Sequence, residues 1–134
     1  MLLIVPVLAL VCGALWYWIG RGSEPAQAGA DVPVHSTLHL ETFVLNLADA
    51  DQRAYLRVGI DLGLNQDAKT VAERVPVAQV RDTILGVLGD ARVQDLLTSG
   101  GKAKLKQDIL HALQERVPLL GAEEVYFTEF LIQR

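Results

Sequence analysis

The feature that most constrains this chain is its opening run, which carries no charge on any face. From Met1 to Ile19 every side chain is uncharged, ten of the residues are Leu, Ile or Val, and the first charge is Arg21. At a 1.5 Å rise per residue such a helix is about 28 Å long, close to the ~30 Å hydrocarbon core of a bilayer. Ten aliphatic side chains near the bilayer centre contribute roughly −3 to −6 kcal/mol to insertion, less what Pro6 and Gly13 subtract. Trp16, Tyr17 and Trp18 fall where an aromatic belt holds a span at the interface. A soluble helix would keep one polar face, and this run keeps none. The run predicts one transmembrane helix over residues 1–20, with the lipid bilayer as its partner.

A cleaved signal peptide is the competing reading, because Ala26-Gln27-Ala28-Gly29-Ala30 offers small-residue cleavage patterns. The apolar run is longer than the usual ~7–15-residue signal core, and Ala26 lies well beyond its end. Cleavage would release a secreted binding domain; retention leaves a tethered one. Residues 21–34, with Gly20, Gly22, Ser23, Pro25 and Pro33 around them, read as a flexible linker. Counting flanking positive charge, Arg21 by itself leans toward a cytoplasmic domain.

The formal charge of the 134 residues is −4, spread along the chain with no Lys/Arg cluster interleaved with aromatics, which argues against nucleic-acid binding. Cys12 is the only cysteine and lies inside the apolar run, so no intrachain disulfide can form.

Residues 35–134 predict one domain. His35 to Leu40 alternates toward Leu38 and Leu40, and Phe43 to Leu47 continues as an apolar run before turn-forming Ala48 to Gln52. Leu56, Val58, Ile60, Leu62 and Leu64 then alternate with Arg57, Gly59, Asp61 and Gly63. This period-two pattern predicts a strand with one buried face, and the two glycines predict a bulge or a close approach. Gln66 to Gly89 switches to helical spacing, with Val77, Val80, Ile84, Val87 and Leu88 on one side and Pro76 as a kink or a new start. A second main helix opens near Thr98 or Ser99, turns Leu105, Ile109, Ala112, Leu113 and Val117 inward, and ends at Pro118 and Gly121. Glu124 to Gln133 predicts a last strand with Val125, Phe127 and Leu131 on one face and Tyr126, Phe130 and Ile132 on the other. The order predicts an α+β fold, with two main helices packed on a small antiparallel sheet.

No catalytic constellation emerges. His35 and His39 are four apart but lie on a strand, with no third ligand at a suggestive spacing. Gly100-Gly101-Lys102 lacks the Walker spacing and the hydroxyl after the lysine. Ser23, Ser36 and Ser99 stand in no nucleophile-elbow context. His111 falls on the outside of an amphipathic helix. The chain reads as a non-enzyme with no cofactor and no metal site.

Several segments in order carry a family resemblance. Val125-Tyr126-Phe127-Thr128-Glu129-Phe130-Leu131-Ile132-Gln133 resembles the C-terminal strand of the FliL family, which ends in an FTEF-x-x-Q pattern. Phe43-Val44-Leu45-Asn46-Leu47, followed by Tyr55-Leu56-Arg57-Val58, is similar to that family's F-x-x-N-L … Y-L-K/R run. Val80 to Leu85, and Gly101-Lys102 with Leu105-Lys106, resemble its two helices.

The resemblance implies a flagellar basal-body-associated protein of the bacterial inner membrane, with a periplasmic domain of stomatin-like (SPFH) fold. It implies self-association into rings associated with the motor stator proteins, supporting flagellar rotation, swarming motility and chemotaxis. It also reverses the orientation that Arg21 suggests. Family members usually carry a basic tail ahead of the span, and this sequence opens on the span itself. Ring closure calls for head-to-tail surfaces. The candidates for them are Arg81 and Asp82, and the second apolar face of the last strand: Tyr126, Phe130 and Ile132. A membrane-tethered stomatin-like scaffold with no link to flagella is the alternative.

Overall fold

The computed structural model describes residues 33–47 and 53–134. The span expected over 1–20 and the linker up to residue 32 lie outside the described residues. All the described residues belong to one compact unit, Asp31–Arg134. No helix among them is long and apolar enough to cross a membrane.

The alternating run becomes β3 (Tyr55–Leu64), the central strand of an antiparallel sheet. Its Leu56, Val58, Ile60, Leu62 and Leu64 are fully buried. Two short strands, β1 (Ser36–His39) and β2 (Phe43–Asn46), lie end to end along one side of β3. His39 stands opposite Asp61 and Phe43 opposite Val58, so Leu40, Glu41 and Thr42 face only Gly59 and Ile60. One extra residue is a bulge, and it splits what would otherwise be a single strand. Along the other side of β3 runs β4 (Ala122–Gln133).

The helices cover one face of this sheet. α1 (Ala68–Arg74) ends at Val75, and α2 (Val77–Gly89) begins directly after Pro76, which stands at its N-cap. Pro76 therefore separates two helices: its missing N–H costs nothing at a helix start. α2 buries Val80, Ile84 and Leu88 as the spacing predicts, whereas Val77, in the first turn, is 44% exposed.

A short helix not anticipated from the sequence, α3 (Val93–Leu96), precedes α4 (Gly101–Arg116). The Thr98 hydroxyl donates back to the Asp95 carbonyl at 2.6 Å, closing α3, so it does not cap α4. α4 starts instead at Gly101, where a Cβ would collide with that same carbonyl. Leu105, Ile109, Leu113 and Val117 enter the core, and a 3₁₀ turn (Pro118–Leu120) leads to Gly121 in the left-handed region at φ 67°. The fold is thus α+β with an antiparallel sheet, though with more helical pieces than the two main helices expected.

The last strand departs from simple alternation. Gly59 stands opposite Glu129 and Ile60 opposite Phe127, leaving Thr128 as an extra residue in β4. A Cβ on Gly59 would occupy the place of the Thr128 hydroxyl, so the glycine makes room for the bulge. The bulge reverses which parity faces inward. Before it, Val125 and Phe127 turn to the core; after it, Phe130 and Ile132 do. Tyr126 and Leu131 face outward, 39% and 46% exposed. Grouping Tyr126 with Phe130 and Ile132 is therefore corrected, because unbroken period two does not survive the bulge.

Candidate functional site

The five residues singled out as candidate surfaces do not form one surface. Arg81, on the second turn of α2, reaches down to the sheet: Nη1 donates to the Glu41 carbonyl at 2.8 Å, and the guanidinium sits 4.1 Å from the centre of the Phe43 ring. A planar cation over an aromatic face gains from the ring quadrupole. Arg81 thereby fastens α2 to the bulge between β1 and β2, a task within the domain. Asp82 is exposed and has no ion pair among the described residues.

Tyr126 lies on the open face of the sheet, opposite Asp61, whose carboxylate meets His39 Nδ1 at 2.6 Å. Next to it, Arg57 and Glu129 pair at 3.0 Å. Val44, Tyr55 and Leu131 leave an apolar strip on the same face and, with Arg57 and Gln133, line a shallow hollow of about 380 Å³. His39 is thus engaged with Asp61, and among the described residues no three His, Cys, Asp or Glu side chains gather as a metal-binding set.

Phe130 and Ile132 lie on the helix side, half-buried at the margin of the core. Phe127 and Phe130 pack at 5.4 Å between ring centres, tilted by 41°. α4 runs over them: Lys102 Nζ is 4.8 Å from the Phe130 ring and Lys106 Nζ 5.3 Å from that of Phe127. Between them in the chain, Lys104 bonds Asp108 at 2.6 Å, and this hydrogen bond, then the charge of Asp108, raises the ammonium above its usual range. An open cleft of about 650 Å³ between α2, α3 and α4 is bordered by Asp90, Asp95, Leu96 and Asp108.

The sequence reading missed Lys102 and Lys106 over the phenylalanines and the strip at Val44, Tyr55 and Leu131. A signal for the strip was present: Tyr55 has the same parity in β3 as the outward-facing Arg57 and Asp61.

The profile of the family described as "Flagellar basal body-associated protein FliL" matches residues 37–133, from inside β1 to the last residue of β4. The chain belongs to the FliL family. A FliL relative, "Flagellar protein FliL" of Aquifex aeolicus (strain VF5), is 32% identical over 93 residues. That match covers 68% of this chain and 56% of the relative. FliL membership supports a flagellar basal-body-associated role. The FliL segments quoted from the sequence map onto β2 with the start of β3, α2, α4 and β4.

Proposed function

We propose that this protein is a non-enzymatic inner-membrane component of the flagellar basal body. Its domain lies in the periplasm, self-associates into a ring associated with the motor stator, and supports rotation and swarming. The observation that carries this reading is the FliL match, which runs over the whole domain from β1 to β4. The uncharged run of residues 1–19 supplies the anchor. Confining a domain to a membrane raises its effective concentration beside its neighbours, as linking two modules does. Modest contacts between copies then suffice for assembly. The stomatin-like relationship of the domain belongs to the same reading, as do Arg81, Asp82, Tyr126, Phe130 and Ile132 as assembly or stator contacts. Of these, Asp82 and Tyr126 are the ones most open to a partner.

The experiment is localisation and loss. A full-length chain tagged at its C-terminus should gather at flagellar motors, and the tag should be protease-accessible from the periplasm. Deleting the gene should reduce swarming. A uniform membrane distribution with normal swarming would instead favour the scaffold with no link to flagella.

A further inference from the structure

Among the described residues both outer edges of the sheet are unpaired: β4 pairs only with β3, and so do β1 and β2. No other backbone hydrogen bond among the described residues reaches Glu123–Gln133. β4 is twelve residues long and contains no Pro or Lys; its only charged side chains are Glu123, Glu124 and Glu129.

The two edges differ in charge, and their levels along the sheet can be read from the register. Phe43, Val58 and Phe130 form one row across the sheet. Glu41, in the bulge facing Gly59 and Ile60, is level with Thr128, which lies between Phe127 and Phe130. Lys102 and Lys106 stand above those two phenylalanines. At this level the β4 edge thus carries a pair of lysines and Glu129, whose carboxylate is already paired with Arg57, and the other edge carries an exposed carboxylate at the height of the gap between the lysines. The Glu41 carbonyl is held by Arg81, which fixes the bulge and leaves the carboxylate exposed.

Apolar surface accompanies both edges. Beside β4 it is the half-buried Phe127, Phe130 and Ile132. Above β2 it is Val77 and Leu85, 44% and 39% exposed, which flank Arg81 at i−4 and i+4 on the same side of α2.

We propose that the β4 edge of one copy pairs with the β1–β2 edge of a second copy, seating Glu41 between Lys102 and Lys106. β4 and β1–β2 both run antiparallel to β3, so they are parallel to each other. A second copy in the same orientation therefore continues the sheet through a parallel junction. The contact is head-to-tail and leaves one free edge of each kind, so it repeats until a ring closes or a filament grows. A two-fold contact of β4 with β4 would set lysines against lysines, and β1–β2 with β1–β2 would set Glu41 against Glu41. Charge selects the head-to-tail arrangement. The inference rests on the self-association proposed above and names the surface that performs it.

The test uses the full-length chain in lipid vesicles, with assembly read by chemical cross-linking and by sedimentation after gentle solubilisation. Glu41→Lys alone, and Lys102→Glu with Lys106→Glu, should each reduce assembly at least tenfold while keeping the wild-type circular dichroism spectrum and melting temperature. The milder Lys102→Gln with Lys106→Gln should fall between. Mixing the two charge-reversed variants in equal amounts should restore assembly, because each then meets a complementary edge. Wild-type assembly that no variant alters, or no recovery on mixing, would overturn the edge assignment and leave self-association standing. A wild-type chain that stays monomeric at high density in vesicles would overturn self-association itself, and this surface with it.

Discussion

At the scale of single residues, the side chains that decide this fold are those whose alternatives cost most. Ile60 and Leu62 are fully buried in the middle of β3, and truncating either to Ala should cost about 2–5 kcal/mol in urea unfolding, through lost burial and the cavity left behind. Gly59 acts by having no side chain. Gly59→Ala forces its Cβ onto the Thr128 hydroxyl, and the expected loss is about 1–3 kcal/mol. Removing that hydroxyl with Thr128→Ala should recover part of the loss, so the double variant should be more stable than the sum of the singles predicts. Strict additivity would mean that the two positions do not share the space assigned to them. Arg81 combines a hydrogen bond to Glu41 with a stack on Phe43, and Arg81→Ala should destabilise by about 1–2 kcal/mol in the same assay. Charge reversal there therefore tests stability together with assembly, whereas Asp82, exposed beside it, tests a surface.

At the scale of elements, the helices show where propensity and tertiary need part company. Gly86 lies inside α2 with open space where its Cβ would be, so Gly86→Ala meets no obstacle. The exchange should stabilise by about 0.5–1 kcal/mol, because glycine loses more backbone freedom on folding. A thermal melt rising by several degrees checks it, and a fall would show that the position serves something other than helix stability. Gly101 looks similar in the sequence and behaves oppositely, since the Asp95 carbonyl fills the space beside it. The spacing of α4's apolar residues was legible from Leu105 to Val117. Its start was not, because Thr98 is consumed in closing α3. The same holds for β4: its existence and its end at Gln133 followed from the pattern, while it starts two residues before the expected Glu124 and its inward face depends on one extra residue at Thr128.

At the scale of the molecule, residues 31–134 form one unit with one core, and the FliL match falls within it. A fragment beginning at Asp31 should unfold in one cooperative transition, seen alike by circular dichroism and by tryptophan-independent probes such as Tyr55 and Tyr126 fluorescence. Amides of β3 should exchange with solvent last, because it is flanked by strands on both sides along its length. Two separate transitions would contradict a single core. Of the candidate surfaces, the sequence located Arg81, Asp82 and Tyr126 as features without showing that the α2 pair and Tyr126 lie on different parts of the domain. The lysines above Phe127 and Phe130 were invisible to it, since they come from an element twenty or more residues away in the chain.

The sequence by itself determined the alternation of β3, the inward stripe of α4, the α+β order and the family segments. These are local patterns: period two or period 3.6 is written in neighbouring residues, and burial enforces it. Only the tertiary structure decided which face of β4 turns inward, which edge carries lysines and which carries Glu41, and that Arg81 is spent on the bulge. Those properties depend on pairing register and on the approach of distant elements. A single extra residue in a ladder, with no mark of its own in the pattern, is enough to change them. The charged edges on which assembly is proposed to turn belong to this second kind.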